Sequence, residues 1–233
     1  MKKRLFLLIM AVAFIFTVHA QQWVIFSGSE PREPEVNVTT SNAQTVTFSV
    51  TLPGIYTQDT VVKGMKFTRL RLPGGGAVNC AGEPEIPVLT YRVAIPECED
   101  AMVSFQVISQ QNLPSCWVYP VPEIVWQSHP DGYSIPEEQF AFNAKTYAQP
   151  RIAEPTSIIS SSGSFRDQQY VEVTLNLIEF CPVKQILSVI DKIEITVTFT
   201  NPVGDLLQEL GTFSDVAASA FINYEKMVRG AFR

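Results

Sequence analysis

Between residues 45 and 200, apolar and polar residues repeatedly alternate with period two. In TVTFSVTL, Val46, Phe48 and Val50 fall on one side and Thr45, Thr47 and Ser49 on the other. Alternation built from β-branched residues marks a strand with one buried face. The pattern recurs in GMKFTRLRL through Met65, Phe67 and Leu70, and in AMVSFQVIS through Val103, Phe105 and Val107. It is clearest in YVEVTLNLIEF (Val171, Val173, Leu175, Leu177) and DKIEITVTF (Ile193, Ile195, Val197, Phe199), with CPVKQILSV between them as a hairpin-like return. Antiparallel strands at this spacing predict an all-β fold, an antiparallel β-sandwich with one apolar inner face per sheet. Only the end differs. In SDVAASAFINYEKMVRGAFR, Ser214 or Asp215 can cap a helix, and Ala217, Ala220, Phe221, Tyr224 and Val228 follow at three- and four-residue steps. That spacing predicts a short amphipathic C-terminal helix of about four turns.

Two stretches break the alternation. Residues 113–155 hold seven prolines among Trp117, Trp126, Tyr133, Phe140, Phe142 and Tyr147. The stretch is too apolar for disorder and too rich in proline for regular elements, so it predicts a long loop pinned to the domain by aromatic rings. Gly74 to Gly76 lack the following GK[ST] of a phosphate loop and predict a turn. Ahead of the strands, Gln21 to Asn42 is polar and proline-containing, which predicts a flexible N-terminal segment. Residues 1–20 have a basic start (Lys2, Lys3, Arg4), an apolar run from Leu5 to about Val18, and small or aliphatic residues before Gln21. They predict a secretory signal peptide cleaved after Ala20. The run falls short of the roughly 20 residues a spanning helix needs. The expected layout is therefore a signal peptide (1–20), a flexible segment (21–42), a sandwich domain (43–205) and a helical tail or linker (206–233). A secreted, periplasmic or cell-surface location follows, with no membrane span after cleavage.

The full sequence has 17 Lys and Arg against 23 Asp and Glu. Removing the three basic residues of the leader leaves 14 against 23. An acidic chain without clustered Lys or Arg excludes a nucleic-acid partner. Export makes disulfides possible among Cys80, Cys98, Cys116 and Cys181. Four cysteines allow three pairings, of which proximity in sequence favours Cys80–Cys98 with Cys116–Cys181. Free thiols are the alternative. Metal-ligand spacing is absent, and no cofactor is implied. His129 lies in QSHPDG, a Pro-Gly turn, and reads as an exposed turn histidine rather than half of a Cys-His pair, since all four cysteines have structural uses. The acidic pairs Glu137-Glu138 and Glu97/Glu99-Asp100 sit outside any calcium-loop pattern and read as solvated turn charges. On its own residues the chain is not an enzyme.

One segment asks for more than strand physics. In GEPEIPVLTYRVAIP (82–96), proline removes N–H donors and fixes φ, so EPEIPV is confined to an extended margin before VAIP enters a sheet. Gly82-x-Pro84-x-Ile86-Pro87, then Val93-Ala94-Ile95-Pro96 and a strand of the type VSFQV, resembles the gingipain-type (C25) cysteine peptidase N-terminal propeptide family. YAQP (147–150) and the closing pair of strands after Tyr170 resemble later parts of that pattern, which extends over about Val46 to Thr200. Cys181 and the number of cysteines depart from it.

The resemblance implies a β-sandwich that assists folding of a cysteine peptidase catalytic domain, in cis or in trans, and keeps it latent. It also implies a loop laid across the active-site cleft with a basic side chain in the specificity pocket. Lys145, Arg151 and Arg166 are the candidates, and Arg229 and Arg233 are candidate processing sites. The rival expectation is a free-standing binding module, an adhesin or carbohydrate binder, with Trp117, Trp126 and Tyr133 as a stacking platform.

Overall fold

The structure is a computed structural model and describes residues 21–77, 80–165, 168–203 and 214–226. Three strands, β2 (Glu35–Ser41), β3 (Thr45–Thr51) and β14 (Ile186–Thr200), follow one another across the first sheet. On the far side of β14, β8 (Asp100–Leu113) pairs along nearly its whole length, while β13 (Ile178–Cys181) shares the β3 side. The second sheet runs β11 (Thr156–Phe165), β12 (Gln168–Asn176), β7 (Pro87–Ile95) and β6 (Gly76–Ala77). A third, of β1 (Gln22–Ile25), β4 (Gly54–Val62) and β5 (Met65–Arg71), extends the body. All of these strand pairings are antiparallel.

The alternating pattern is what closes the core. Val46, Phe48 and Val50 of β3 and Ile193, Ile195 and Val197 of β14 are fully buried, and they share one cluster with Leu89, Val93, Val171, Val173 and Leu175 of the second sheet. Each such side chain contributes about 1.5–3 kcal/mol of apolar transfer. The chain passes from the first sheet to the third without a turn, at Leu52–Pro53. There Leu52 N–H donates to Asp191 O (2.8 Å), while Pro53 O accepts from Phe26 N–H (2.9 Å) and Ser27 N–H (3.0 Å). Gly54 is obligatory beside this crossing, because a Cβ would lie 2.3 Å from Val24 O and 2.6 Å from the Trp23 ring.

Residues 21–42 correct the expectation of a flexible segment. They supply β1, paired to β4, and β2, paired to β3, so the domain starts before residue 43. Their patterning is weak: β1 has four residues, none buried, and β2 buries Val38 alone. The C-terminal helix is also broken where its periodicity predicts continuity, with helical backbone again at residues 224–226. Helix α2 spans Ser214–Ala220, after which the backbone leaves the helix at Phe221. Ile222 N–H donates to Arg92 O of β7 (3.1 Å), and Asn223 is fully buried against the same strand. Tertiary bonding has overridden local propensity. Among the described residues, no helix is long and apolar enough to cross a membrane.

Candidate functional site

The proline- and aromatic-rich stretch forms a built module rather than a loop. Its first part, residues 117–121, is threaded between β5 and the GEPEIP segment. Thr68 N–H donates to Trp117 O (2.7 Å) and Tyr119 N–H to Thr68 O (2.9 Å). On the other side, Glu85 N–H donates to Tyr119 O, Val121 N–H to Glu83 O and Gly82 N–H to Val121 O, each at 2.8 Å. Proline at 84 and 87 leaves this margin with few donors, and those that remain are used here. Gly82, at φ 85°, is in the left-handed region that glycine tolerates, and its carbonyl accepts from Asn143 N–H (2.9 Å).

Phe67 of β5 is the hub. Trp117, Tyr119, Phe140 and Phe142 surround it with ring centroids 5.6–6.5 Å away. Such pairs contribute about 0.5–1.5 kcal/mol each beyond area burial. Tyr147 ends the short helix α1 (Ala144–Tyr147), stacks on Trp117 (6.1 Å) and donates its hydroxyl to Val118 O (2.7 Å). Burial raises its phenol well above the ordinary range. Asn143 caps α1, its Oδ1 accepting from Lys145 N–H (3.1 Å) and Thr146 N–H (3.3 Å).

From this base rises an antiparallel hairpin of β9 (Glu123–Ser128) and β10 (Ser134–Gln139) that joins none of the three sheets. His129 N–H donates to Tyr133 O (2.7 Å), Gly132 has φ 86°, and the His129 and Tyr133 rings stack at 4.4 Å. The register puts Ile124, Trp126 and Pro136 on one face and Val125, Gln127 and Ile135 on the other. No strand residue is buried, and Trp126 is 66% exposed. A lone hairpin is marginal in water; this one is held at its foot.

The hairpin is also acidic, with Glu123, Asp131, Glu137 and Glu138, and the sequence has no Lys or Arg between Arg92 and Lys145. Arg69 lies over the Tyr119 ring (3.9 Å) and reaches Glu138 (4.0 Å). Glu85, below it, has its carboxyl raised by burial; Arg69 opposes that shift and Glu138 adds to it.

Lys145 and Arg151 both sit at the hairpin's foot, with opposite surroundings. Lys145 is exposed, and its ammonium makes no ion pair among the described residues. Arg151 is held by Glu154 (3.4 Å) and Glu179 (3.3 Å) beside the Ile152–Phe180 bridge. Ala20, Arg166, Arg229 and Arg233 lie outside the described residues. Trp117 is packed at the base while Trp126 and Tyr133 ride the hairpin, so the three rings do not form one platform.

The four cysteines are free thiols. Cys80 and Cys98 flank opposite ends of the nine-residue β7, which at about 3.3 Å per residue spans roughly 26 Å. That is far beyond disulfide reach, so this pairing is corrected. Cys116, after β8, and Cys181, at the end of β13, are separated by β14, and each thiol turns to its own neighbour: Pro114 O (3.7 Å) and Glu179 Oε1 (3.6 Å) respectively. Burial is the leading cause that raises the Cys98, Cys116 and Cys181 thiols, which keeps them protonated and weakly nucleophilic.

A rigid sandwich that holds out an exposed, apolar-faced hairpin defines a docking module. The Propeptide_C25 family model matches residues 27–232, so the chain belongs to the C25 propeptide family. A propeptide is the non-catalytic part of a peptidase precursor. Two solved structures share the fold. One is the complex of Porphyromonas gingivalis RgpB pro- and mature domains, with TM-score 0.65, 17% identity, and coverage of 83% of this chain and 100% of that one. The other is a structure of gingipain K from Porphyromonas gingivalis, described as giving insight into zymogenic latency, with TM-score 0.61, 19% identity, and coverage of 78% and 100%. No curated protein matches the chain.

Proposed function

We propose that this domain is an exported pro-domain that assists folding of a gingipain-like C25 cysteine peptidase and keeps it latent by laying the β9–β10 hairpin and its foot across the active-site cleft. The observation that carries this reading is the hairpin itself: unburied, with exposed apolar side chains on both faces, and rooted in a bonded aromatic base. An element already ordered before docking loses little conformational entropy on binding. Of the two basic candidates among the described residues, Lys145 is the one without an ion pair, so it is the cation offered to the peptidase, while Arg151 serves its own sheet. The signal peptide, cleaved after Ala20, delivers the precursor to the cell exterior, periplasm or surface. Cutting at Arg229 or Arg233 then separates the domain from what it guards.

The test titrates residues 21–233 against the catalytic domain of the C25 peptidase from the same genome and follows hydrolysis of a peptide substrate. Inhibition by wild type, weakened tenfold or more (about 1.4 kcal/mol or more) by Trp126→Ser, is the expected result. Lys145→Ala weakens it further, and Arg151→Ala leaves it unchanged. A folded wild-type domain that leaves the peptidase fully active overturns the proposal.

A further inference from the structure

Strands β7 and β8 follow each other in the chain, and each has a side on which strand pairing runs out. On β7, the two residues of β6 cover only the start. Beyond them the chain supplies its own cover. Asn223, fully buried, accepts from Ala94 N–H through Oδ1 (2.9 Å) and donates from Nδ2 to Ala94 O (2.9 Å), so one side-chain amide replaces a strand. Ile222 N–H takes Arg92 O, and Lys226 Nζ donates to Thr39 O (3.1 Å).

Strand β8 receives nothing of the kind. It has 14 residues and pairs with β14 alone among the described residues. β11, itself the outermost strand of the second sheet, lies beside it, so the two border one flank of the sandwich. Neither Ala101–Leu113 nor Thr156–Phe165 contains a charged residue, in a chain where 17% of residues are charged. Phe105 and Val107 are in register with Ile195 and Ile193, which are fully buried, yet both are 40% exposed. Met102 and Ile108 add exposed apolar surface to β8.

Open edges are normally blunted by Lys, Pro, bulges or a covering segment, because their free N–H and C=O groups template pairing with another chain. Here two adjacent register shifts around Ile108 and Ser109 are the interruption, and Ala101–Val107 is left as a regular, uncharged edge with no second strand partner among the described residues. Charge decides what fits it. Two copies of an acidic chain repel through charged surface, but a flank without charges gives no like-charge contact on any rung. Antiparallel pairing of β8 with itself is isologous, so each copy offers its exposed Phe105 and Val107 to the same residues of the other.

We propose that two copies of this domain pair through β8 about a two-fold axis, joining their first sheets into one continuous sheet. The hairpins take no part and remain available to a peptidase. The experiment is sedimentation equilibrium of residues 21–233 over a range of concentrations, with Phe105→Lys and Met102→Lys on β8 and Val61→Lys, at an exposed position of β4, as control. Circular dichroism and thermal melts establish that each variant is folded, and Met102, 57% exposed, covers the case in which Phe105→Lys fails to fold. Wild type and control are expected as dimers. Both β8 variants are expected to dissociate at least about tenfold more readily: Phe105→Lys brings an unpaired charge to the joined inner face, and Met102→Lys sets a charge beside the new strand pair on its outer face. A wild type that stays monomeric, a dimer indifferent to both β8 lysines, or open-ended polymers each overturn the proposal.

Discussion

The C-terminal strap on β7 and the bare flank on β8 show how differently one small fold treats two open strands. On β7, a buried amide, a backbone bond and the cluster of Ala94, Ala217 and Phe221 close the edge from within. On β8, the thirteen residues after Asp100 carry no charge, and among the described residues β14 is the one strand that pairs with it. Closure from within makes a sheet edge part of the fold's stability. A bare edge contributes little to stability and is free to contribute to association.

Removing the strap's anchor should have the largest effect. Phe221 is buried against Phe165 and Tyr170, and Phe221→Ala is expected to lower unfolding free energy by about 3 kcal/mol, read from denaturant midpoints. Asn223→Ala comes next. It leaves Ala94 N–H and C=O buried without partners, which costs about 2 kcal/mol and should raise hydrogen exchange at the Ala94 amide. If that amide exchanges no faster in the variant, the strap does not close the edge.

Smaller effects follow from two carboxyl groups shifted in opposite directions. Glu172 is held below the ordinary carboxylate range, first by the Ser161 hydroxyl (2.6 Å) and then by Arg92 of β7 (2.9 Å). Its contribution is present above that range and lost as pH falls through the depressed value. Glu172→Gln should therefore flatten the acid limb of the stability profile, by less than about 1 kcal/mol for so exposed a pair. Glu85 is raised by burial, so its contribution is present at low pH and lost as pH rises through the raised value. Glu85→Gln should stabilise the hairpin base at neutral pH, visible as a higher melting temperature. Least of all, Met102→Lys on the bare flank should change monomer stability by no more than about 0.5 kcal/mol, in contrast to the strap variants.

The sandwich was legible because period-two patterning survives wherever a strand has one face in the core, as in β3, β12 and β14. It was less reliable at an edge strand: Val103, Phe105 and Val107 share one face, yet Val103 packs against the core while Phe105 and Val107 are 40% exposed. Residues 21–42 were misjudged because short, half-exposed strands carry almost no pattern. The hairpin had a local signal, Pro130-Asp131-Gly132 between EIVW and SIP, which the density of prolines masked. Arg151's ion pair with Glu179 and Asn223's bidentate bond to Ala94 join residues 28 and 129 positions apart, and no local signal exists for such contacts. The cysteine pairing illustrates the same limit. Nearness in sequence means little when a nine-residue strand lies between two thiols.

The pro-domain assignment is tested most directly by steady-state inhibition of the C25 catalytic domain from the same genome by residues 21–233, at several substrate concentrations. Inhibition that substrate relieves, with the apparent KM rising and kcat unchanged, is the result expected of a domain occupying the cleft through its hairpin. Peptidase activity that is indifferent to the folded domain, or a fall in kcat that no substrate concentration reverses, would contradict it.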